Sequence, residues 1–151
     1  MYKPSIYYKR TPEEKADKLL AWKRDDTAFF AAGACHILAH MFMELHYKEK
    51  KYKIIGLKAK RDKYVHHVYV TDGKWAFDYG GWTLEEELLI ETKKAYTTFN
   101  KDWDYEKIII KEDLETFCKK QYSRPPAYFP YLPWERAYSY IKKFGSEPPS
   151  N

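Results

Sequence analysis

The spacing of apolar residues along the chain predicts several helices. From Cys35 to about His46, apolar side chains recur at three- and four-residue steps and cover most of the circumference, which indicates a central, buried helix. An earlier helix begins at Pro12 and ends near residue 24, because Thr11 is a capping residue and Glu14 completes a capping box. Further helices are predicted over residues 83–92, 111–121 and 134–144.

The other segments are predicted to be strands, loops or extended chain. Residues 52–58 and 105–110 have strand-like composition, whereas residues 29–34 and 93–104 lack a clear period and are predicted to be loops. Residues 124–133 are expected to be extended, because their prolines block regular pairing. Helices and strands therefore both contribute to the fold.

Length and composition favour a single folded domain. Hydrophobic residues make up 44% and aromatic residues 19% of the 151 residues, which suffices for a core and argues against disorder. The chain contains no internal repeat and no separate linker. We therefore expect one α+β domain over residues 1–151, with frayed ends at residues 1–10 and 145–151.

A hairpin centred on Asp72-Gly73 is the most specific local pattern. Residues 64–71 and 74–79 are both strand-like, and Asp-Gly between such segments favours a two-residue turn, since both residues tolerate positive φ. With that turn, His67 lies opposite Asp78, and directly opposed Cβ atoms are about 4.5–5.5 Å apart. The hairpin therefore predicts a carboxylate that orients an imidazole. A three-residue loop would set His66 opposite Asp78 instead, so His66 stays a candidate neighbour of the site.

Cys35, at the start of the predicted central helix, supplies a candidate nucleophile. A helix N-terminus and a nearby imidazolium both lower the pKa of a thiol. In that arrangement His67 deprotonates the thiol and later protonates the leaving group, while Asp78 fixes the tautomer of His67. Gly33 is small enough to let backbone N–H groups approach the reacting centre as part of an oxyanion hole, and His36 is expected to border the same cleft.

The motifs Gly33-Ala-Cys35-His-Ile-Leu-Ala39, His67-Val-Tyr-Val and Gly73-Lys-Trp-Ala-Phe-Asp78 resemble the core of papain-like and transglutaminase-like cysteine proteins, and most of all their small bacterial and phage members. The resemblance covers about residues 28–82. It implies a Cys-bearing central helix packed on an antiparallel or mixed sheet, with the cysteine, histidine and aspartate as nucleophile, general base and orienting residue. Two features depart from the family: a histidine follows the cysteine where many transglutaminases have tryptophan, and the glutamine that donates to the oxyanion in papain is missing.

These motifs predict a thiol-dependent hydrolase or acyl transferase, such as a protease, deamidase or transglutaminase-like enzyme. It would act on an amide, isopeptide or thioester carbonyl of a protein or peptide substrate, without a cofactor or metal. One alternative is a catalytically inactive papain-like protein that binds a protein or nucleic acid. Another is a zinc-binding domain, in which Cys35, His36 and His40 are joined by His66, His67 or Cys118.

Charge and cysteine content add further constraints. The net charge of +5 permits nucleic-acid binding, but acidic residues interrupt the basic segments 48–53 and 58–63, which favours solvated turns. Cys35 and Cys118 are the only cysteines, no secretory signal is visible, and no apolar run reaches about 18 residues. We therefore predict a cytoplasmic protein with free thiols and no membrane span, while its oligomeric state stays open.

Overall fold

Five antiparallel strands form the sheet of the computed structural model, which describes residues 1–149. The strands lie in the order β4-β3-β2-β1-β5, and every neighbouring pair is antiparallel. The fold is therefore α+β, as predicted. The strands are Lys53–Ala59 (β1), Val65–Thr71 (β2), Trp75–Asp78 (β3), Gly81–Leu84 (β4) and Tyr105–Ile110 (β5).

Helices fill the connections before and after the strands. In the described part of the chain they are Pro12–Ala16 (α1), Lys18–Trp22 (α2), Asp26–Ala31 (α3), Cys35–Leu45 (α4), Glu85–Phe99 (α5), Leu114–Gln121 (α6) and Trp134–Lys142 (α7). Single turns of 3₁₀-helix occur at Ser5–Tyr8 and Pro126–Tyr128. Within residues 1–149, no helix combines the length and the apolar character that a membrane crossing requires.

Helix α4 is the centre of the core, as its apolar pattern predicts. Ile37, Leu38 and Phe42 are almost completely buried, and the ring of Phe42 lies 4.9 Å from that of Phe77 in β3. Full burial of such a side chain contributes about 1.5–3 kcal/mol to the stability of a fold. This packing fixes α4, and with it the cysteine at its first position, against the sheet.

The single helix predicted from Pro12 to residue 24 is wrong, because the structure has two short helices, α1 and α2, in this segment. Asp17 adopts an extended conformation, and its carboxylate accepts hydrogen bonds from the N–H groups of Leu19 and Leu20 at 3.0 and 3.2 Å. This cap starts a new helix and separates α1 from α2. Both leucines are 42% exposed.

Two predicted loops are partly helical. Residues 26–31 form α3, which begins where the Asp25 carboxylate accepts a hydrogen bond from the N–H of Ala28 at 2.9 Å. Helix α5 continues to Phe99, although Thr97 and Thr98 are weak helix formers. Their hydroxyls donate to carbonyl groups one turn earlier, at 2.7 and 2.9 Å, so polar side chains follow the helix without supplying an apolar period.

The first ten residues, predicted to fray, pack against the domain instead. Tyr2 is only 7% exposed, Ile6 is buried, and the hydroxyl of Tyr79 donates to the carbonyl of Lys3 at 2.7 Å. At the other end, the carbonyl of Ser146 lies 3.0 Å from Nε2 of His46. Residues 150–151, the last of the predicted frayed tail, lie outside the described residues.

Candidate active site

Strands β2 and β3 pair in a register two residues away from the predicted one. Val70 pairs with Phe77 and Thr71 with Ala76, so the loop has four residues rather than two. The carboxylate of Asp72 accepts the N–H groups of the two residues after Gly73, at 2.9 and 2.8 Å. This side-chain turn replaces the predicted tight backbone turn. In a two-residue turn these N–H groups would be available to the hydrogen bonds between the strands, whereas here the Asp72 carboxylate accepts them.

The two-residue shift leaves His67 and Asp78 on the same face of the sheet, since side chains alternate with a period of two. They are no longer directly opposite, but Nε2 of His67 lies 2.8 Å from Oδ2 of Asp78. Pairing between β2 and β3 ends before these residues, so the carboxylate reaches diagonally. The predicted contact therefore exists in a different register.

The carboxylate of Asp78 is buried and satisfied at both oxygens. Oδ1 accepts the N–H of Gly80 at 2.8 Å, and Oδ2 accepts the hydroxyl of Tyr2 at 2.5 Å as well as bonding His67. Burial, followed by the charge of Asp78, raises the pKa of Tyr2 well above its usual value, so its hydroxyl stays protonated and donates. These bonds hold the carboxylate in one orientation.

Tyr2 is the site residue that sequence reasoning missed. It lies in a segment predicted to fray, and one tyrosine among fifteen carries no distinguishing spacing. Its hydroxyl lies 3.4 Å from Nε2 of His67 and 2.9 Å from the hydroxyl of Tyr79. The only local signal in the sequence is the apolar residue Ile6 nearby, which is buried in the structure. It indicates that this segment packs against the domain but does not show that Tyr2 contacts Asp78.

Cys35 begins α4 with a half-buried thiol. Burial raises the pKa of this thiol, but hydrogen bonding to His36 and His67 outweighs it and lowers the pKa to about 6. The helix N-terminus favours the same charged form. The lowered pKa therefore favours the thiolate, the nucleophilic form of cysteine, at this position.

The ring of His67 contacts Asp78 through Nε2 at 2.8 Å. Its Nδ1 is buried and has no hydrogen-bond partner among residues 1–149. Burial lowers the pKa of His67, but Asp78 and then Cys35 raise it to about 9. The pKa of Cys35 is thus lowered and that of His67 raised, so each group favours the charged form of the other.

His36 lies between the two cysteines of the chain. Its Nε2 is 2.6 Å from the carbonyl oxygen of Arg124, and its ring interacts with Cys118 and with Cys35. Burial lowers the pKa of His36, yet the two sulfur atoms raise it to about 9. The structure thus places His36 at the site, with Nε2 engaged by a carbonyl group.

His66 is not brought to the thiol. Its Nε2 lies 2.8 Å from Oδ2 of Asp62, and its Nδ1 accepts a hydrogen bond from the indole of Trp103 at 3.3 Å. Both ring nitrogens are therefore engaged by residues other than Cys35 and Asp78, namely Asp62 and Trp103. His66 does not take the place of His67 beside Asp78.

Gly33 has a backbone conformation that favours glycine, with φ of +109°. A Cβ there would lie 3.2 Å from Nη1 of Arg124 and 3.7 Å from Cζ of Arg10. The absent side chain therefore lets two guanidinium groups approach the chain two residues before Cys35. This close approach is a second reason, beside the predicted access for backbone N–H groups, why glycine fits here.

The zinc alternative has no matching ligand set in the part of the chain that the structure describes. Residues 1–149 contain no group of three or more His, Cys, Asp or Glu residues that could hold a metal ion. Nδ1 of His40 lies 2.9 Å from the carbonyl oxygen of His36 in the same helix, so that ring is directed at backbone. Nε2 of His36 lies 2.6 Å from the carbonyl oxygen of Arg124, so this ring too is directed at backbone.

Comparisons with known proteins give no relative to build on: no protein family model, no curated protein and no solved structure matches the chain. Geometry and chemistry alone therefore carry the functional argument.

Proposed function

We propose that the protein is a papain-like cysteine hydrolase or acyl transferase that acts on an amide, isopeptide or thioester carbonyl of a protein or peptide. The observation that carries the proposal is the environment of the His67 ring, in which Nε2 contacts the buried Asp78 carboxylate while the buried Nδ1 has no hydrogen-bond partner among residues 1–149. The residues follow one another in the order cysteine, histidine, aspartate, on the start of a central helix and on successive antiparallel strands.

The arrangement of charges supports a reactive thiol rather than a packed one. Structural cysteines in apolar surroundings keep their proton, whereas a thiol beside an imidazolium and a helix N-terminus loses it. Cys35 has both neighbours, and the residue is only partly buried, in contrast to the buried Cys118. An ion pair of this kind is favoured before the substrate binds.

In the proposed reaction, the thiolate of Cys35 attacks the carbonyl carbon and forms a carbon–sulfur bond, and the carbonyl electron pair moves to oxygen. When the tetrahedral intermediate collapses, the imidazolium of His67 gives its proton to the departing amine or thiolate. Water or an acceptor amine then attacks the thioester carbon and loses a proton to His67. The carbon–sulfur bond breaks, the product leaves, and the Cys35 thiolate and the His67 imidazolium are regenerated. Asp78 orients the ring and stabilises its charged form throughout.

The test is the pH dependence of alkylation of the two cysteines in the intact protein. Iodoacetamide labelling, followed at each cysteine by peptide mass spectrometry, should be far faster at Cys35 than at the buried Cys118. The rate at Cys35 should rise with pH and reach half its plateau near pH 6, because the thiolate forms above that pKa. Slow labelling of both cysteines with a midpoint near the usual thiol value of about 8.5 would overturn the proposal and favour a catalytically inactive binding protein.

A further inference from the structure

His46 lies between two carbonyl groups. It caps the C-terminal end of α4 and is buried, with only 7% of its surface exposed. Nδ1 lies 2.8 Å from the carbonyl oxygen of Phe42, and Nε2 lies 3.0 Å from the carbonyl oxygen of Ser146. Because a carbonyl oxygen can only accept a hydrogen bond, both contacts are hydrogen bonds only if both ring nitrogens carry a proton. The geometry around His46 therefore fits an imidazolium rather than a neutral ring.

His40, in the same helix, has the first of these contacts but not the second. Its Nδ1 lies 2.9 Å from the carbonyl oxygen of His36, four residues earlier, as Nδ1 of His46 does from that of Phe42. Its Nε2 is buried and has no hydrogen-bond partner among residues 1–149, and burial lowers the pKa of His40. A neutral ring satisfies one carbonyl group. The second acceptor, from Ser146, is what distinguishes His46.

The charged and titratable groups around His46 act in both directions. Oε2 of Glu49 lies 3.9 Å from Nε2, the ring of Phe42 is stacked on the imidazole with its centre 4.0 Å away, and the end of α4 carries partial negative charge, all of which favour the imidazolium. Lys142 of α7 opposes it and lines the same cavity of about 360 Å³ as His46. Burial raises the pKa of Tyr52, whose ring centre lies 5.3 Å away, to about 12, so this phenol stays neutral. The cavity gives solvent a route to the ring, so His46 can titrate in the folded protein.

The C-terminal segment, residues 145–149, follows α7 and is attached by few polar side chains in the described structure. Besides His46, Nε1 of Trp82 donates to the first carbonyl group of the segment at 3.2 Å, and Nζ of Lys51 lies 3.4 Å from Oε2 of Glu147. The Lys51–Glu147 pair is exposed, and exposed ion pairs contribute little to stability. The bonds from His46 and Trp82 are therefore the main polar attachments of this segment.

Loss of one proton from His46 leaves a nitrogen lone pair facing one of the two carbonyl oxygens, which is repulsive at this distance. The Phe42 carbonyl is fixed within the helix, because it also accepts the backbone N–H of His46 at 3.0 Å. The Ser146 carbonyl belongs to a segment 100 residues away in the chain. The contact that opens on proton loss is therefore the one to Ser146.

We propose that His46 is a pH-sensitive clamp that holds the C-terminal segment, residues 145–149, against the end of α4. The clamp is closed while the ring is an imidazolium and opens when the ring loses a proton. It is therefore fully closed at low pH and is lost as the pH rises through the range, ordinarily about pH 5 to pH 8, in which histidine changes charge. The clamp does not depend on the proposed activity of Cys35, which lies at the other end of α4.

The test follows the mobility of the C-terminal segment in the intact, isotope-labelled protein. The heteronuclear NOE of the Gly145, Ser146 and Glu147 amides, measured by NMR, should be that of rigid backbone at about pH 5 and should be lost at about pH 8. The loss should follow the same pH curve as the ring-proton resonance of His46, because one proton controls both.

Three variants assign the pH dependence to one residue. His46→Gln should abolish it, because an amide side chain does not titrate. His40→Gln is the matched control and should retain it, since His40 has the same contact with a carbonyl four residues earlier but none with the C-terminal segment. Lys51→Gln should also retain it, since this change removes only the exposed ion pair with Glu147.

The clamp is contradicted if the segment of the wild-type protein is equally rigid, or equally mobile, at both pH values. It is also contradicted if the segment loosens toward low pH, which is the response expected when Glu147 is protonated and its pair with Lys51 is lost. A pH dependence that persists in His46→Gln would assign the effect to another group and overturn the proposal. If His46→Gln does not fold, the wild-type titration decides, because release at a pH different from that of the His46 ring overturns the clamp as well.

Discussion

His66 and His67 are neighbours in the sequence with opposite environments. Each contacts an aspartate at 2.8 Å, but the side chain of His66 is 26% exposed and that of His67 is 1% exposed. The second nitrogen of His66 accepts an indole N–H, whereas that of His67 has no nitrogen or oxygen partner within residues 1–149. An imidazole beside a carboxylate is thus not distinctive by itself; what matters is which group its other nitrogen faces.

Replacing each histidine in turn tests whether only His67 affects the reactivity of Cys35. His67→Gln should lower the rate of Cys35 alkylation near pH 6 by roughly tenfold, because the thiol pKa rises when one of the two imidazoles that lower it is removed, while His36 remains. His66→Gln, the matched control, should change the rate less than about twofold. Equal losses in both variants would show that the two rings are not distinguished in the way the structure indicates.

Replacing Asp78 tests the carboxylate on the far side of the ring. Asp78→Asn should lower Cys35 labelling about tenfold, because the charge that favours the imidazolium of His67 disappears and the histidine pKa falls. The pH range that favours the ion pair should then be narrower, with its upper limit moved down from about 9. Asp62→Asn, beside His66, is the control, and a similar loss there would contradict the assignment.

Tyr2 should give the smallest effect on the thiol and a clear effect on stability. Tyr2→Phe removes one hydrogen bond to a buried carboxylate, so the free energy of unfolding should fall by about 1.5–3 kcal/mol in urea titration, with labelling of Cys35 slowed only a few-fold. Tyr7→Phe is the matched control, since Tyr7 is 49% exposed and contacts Phe99 through its ring. An unchanged stability in Tyr2→Phe would remove Tyr2 from the site.

The sequence predicts the parts of the site that depend on period. The apolar pattern places Cys35 at the start of a buried helix. Side chains alternate along β2 and β3, so His67 and Asp78 share one face of the sheet both in the predicted register and in the observed register, which differs by two residues. The register itself could not be predicted, because the side chain of Asp72, and not only the Asp-Gly backbone preference, decides the turn. The hydrogen bonds of the Asp72 side chain therefore outweigh the preference of Asp-Gly for a two-residue turn.

Other parts of the fold depend on contacts between distant residues and leave no periodic signal. The burial of Tyr2 and the meeting of Arg10 with Arg124 join segments far apart in the chain, and neither segment has a helical or strand period. The second half of α5 is polar and rich in threonine, and it is held in place by contacts such as the hydrogen bond between the hydroxyls of Tyr96 and Ser5 at 3.2 Å, which are 91 residues apart. Sequence spacing cannot report either kind of contact.

The bond between Tyr2 and Asp78 also bears on when the site is completed. The contact between His67 and Asp78 closes a short stretch of chain, 11 residues apart, and forms with the hairpin itself. The contact between Tyr2 and Asp78 spans 76 residues and carries a larger loop-closure entropy. The aspartate acquires its last hydrogen-bond donor only when the two ends of this long segment have met, so we expect the site to become fully ordered after the hairpin has formed.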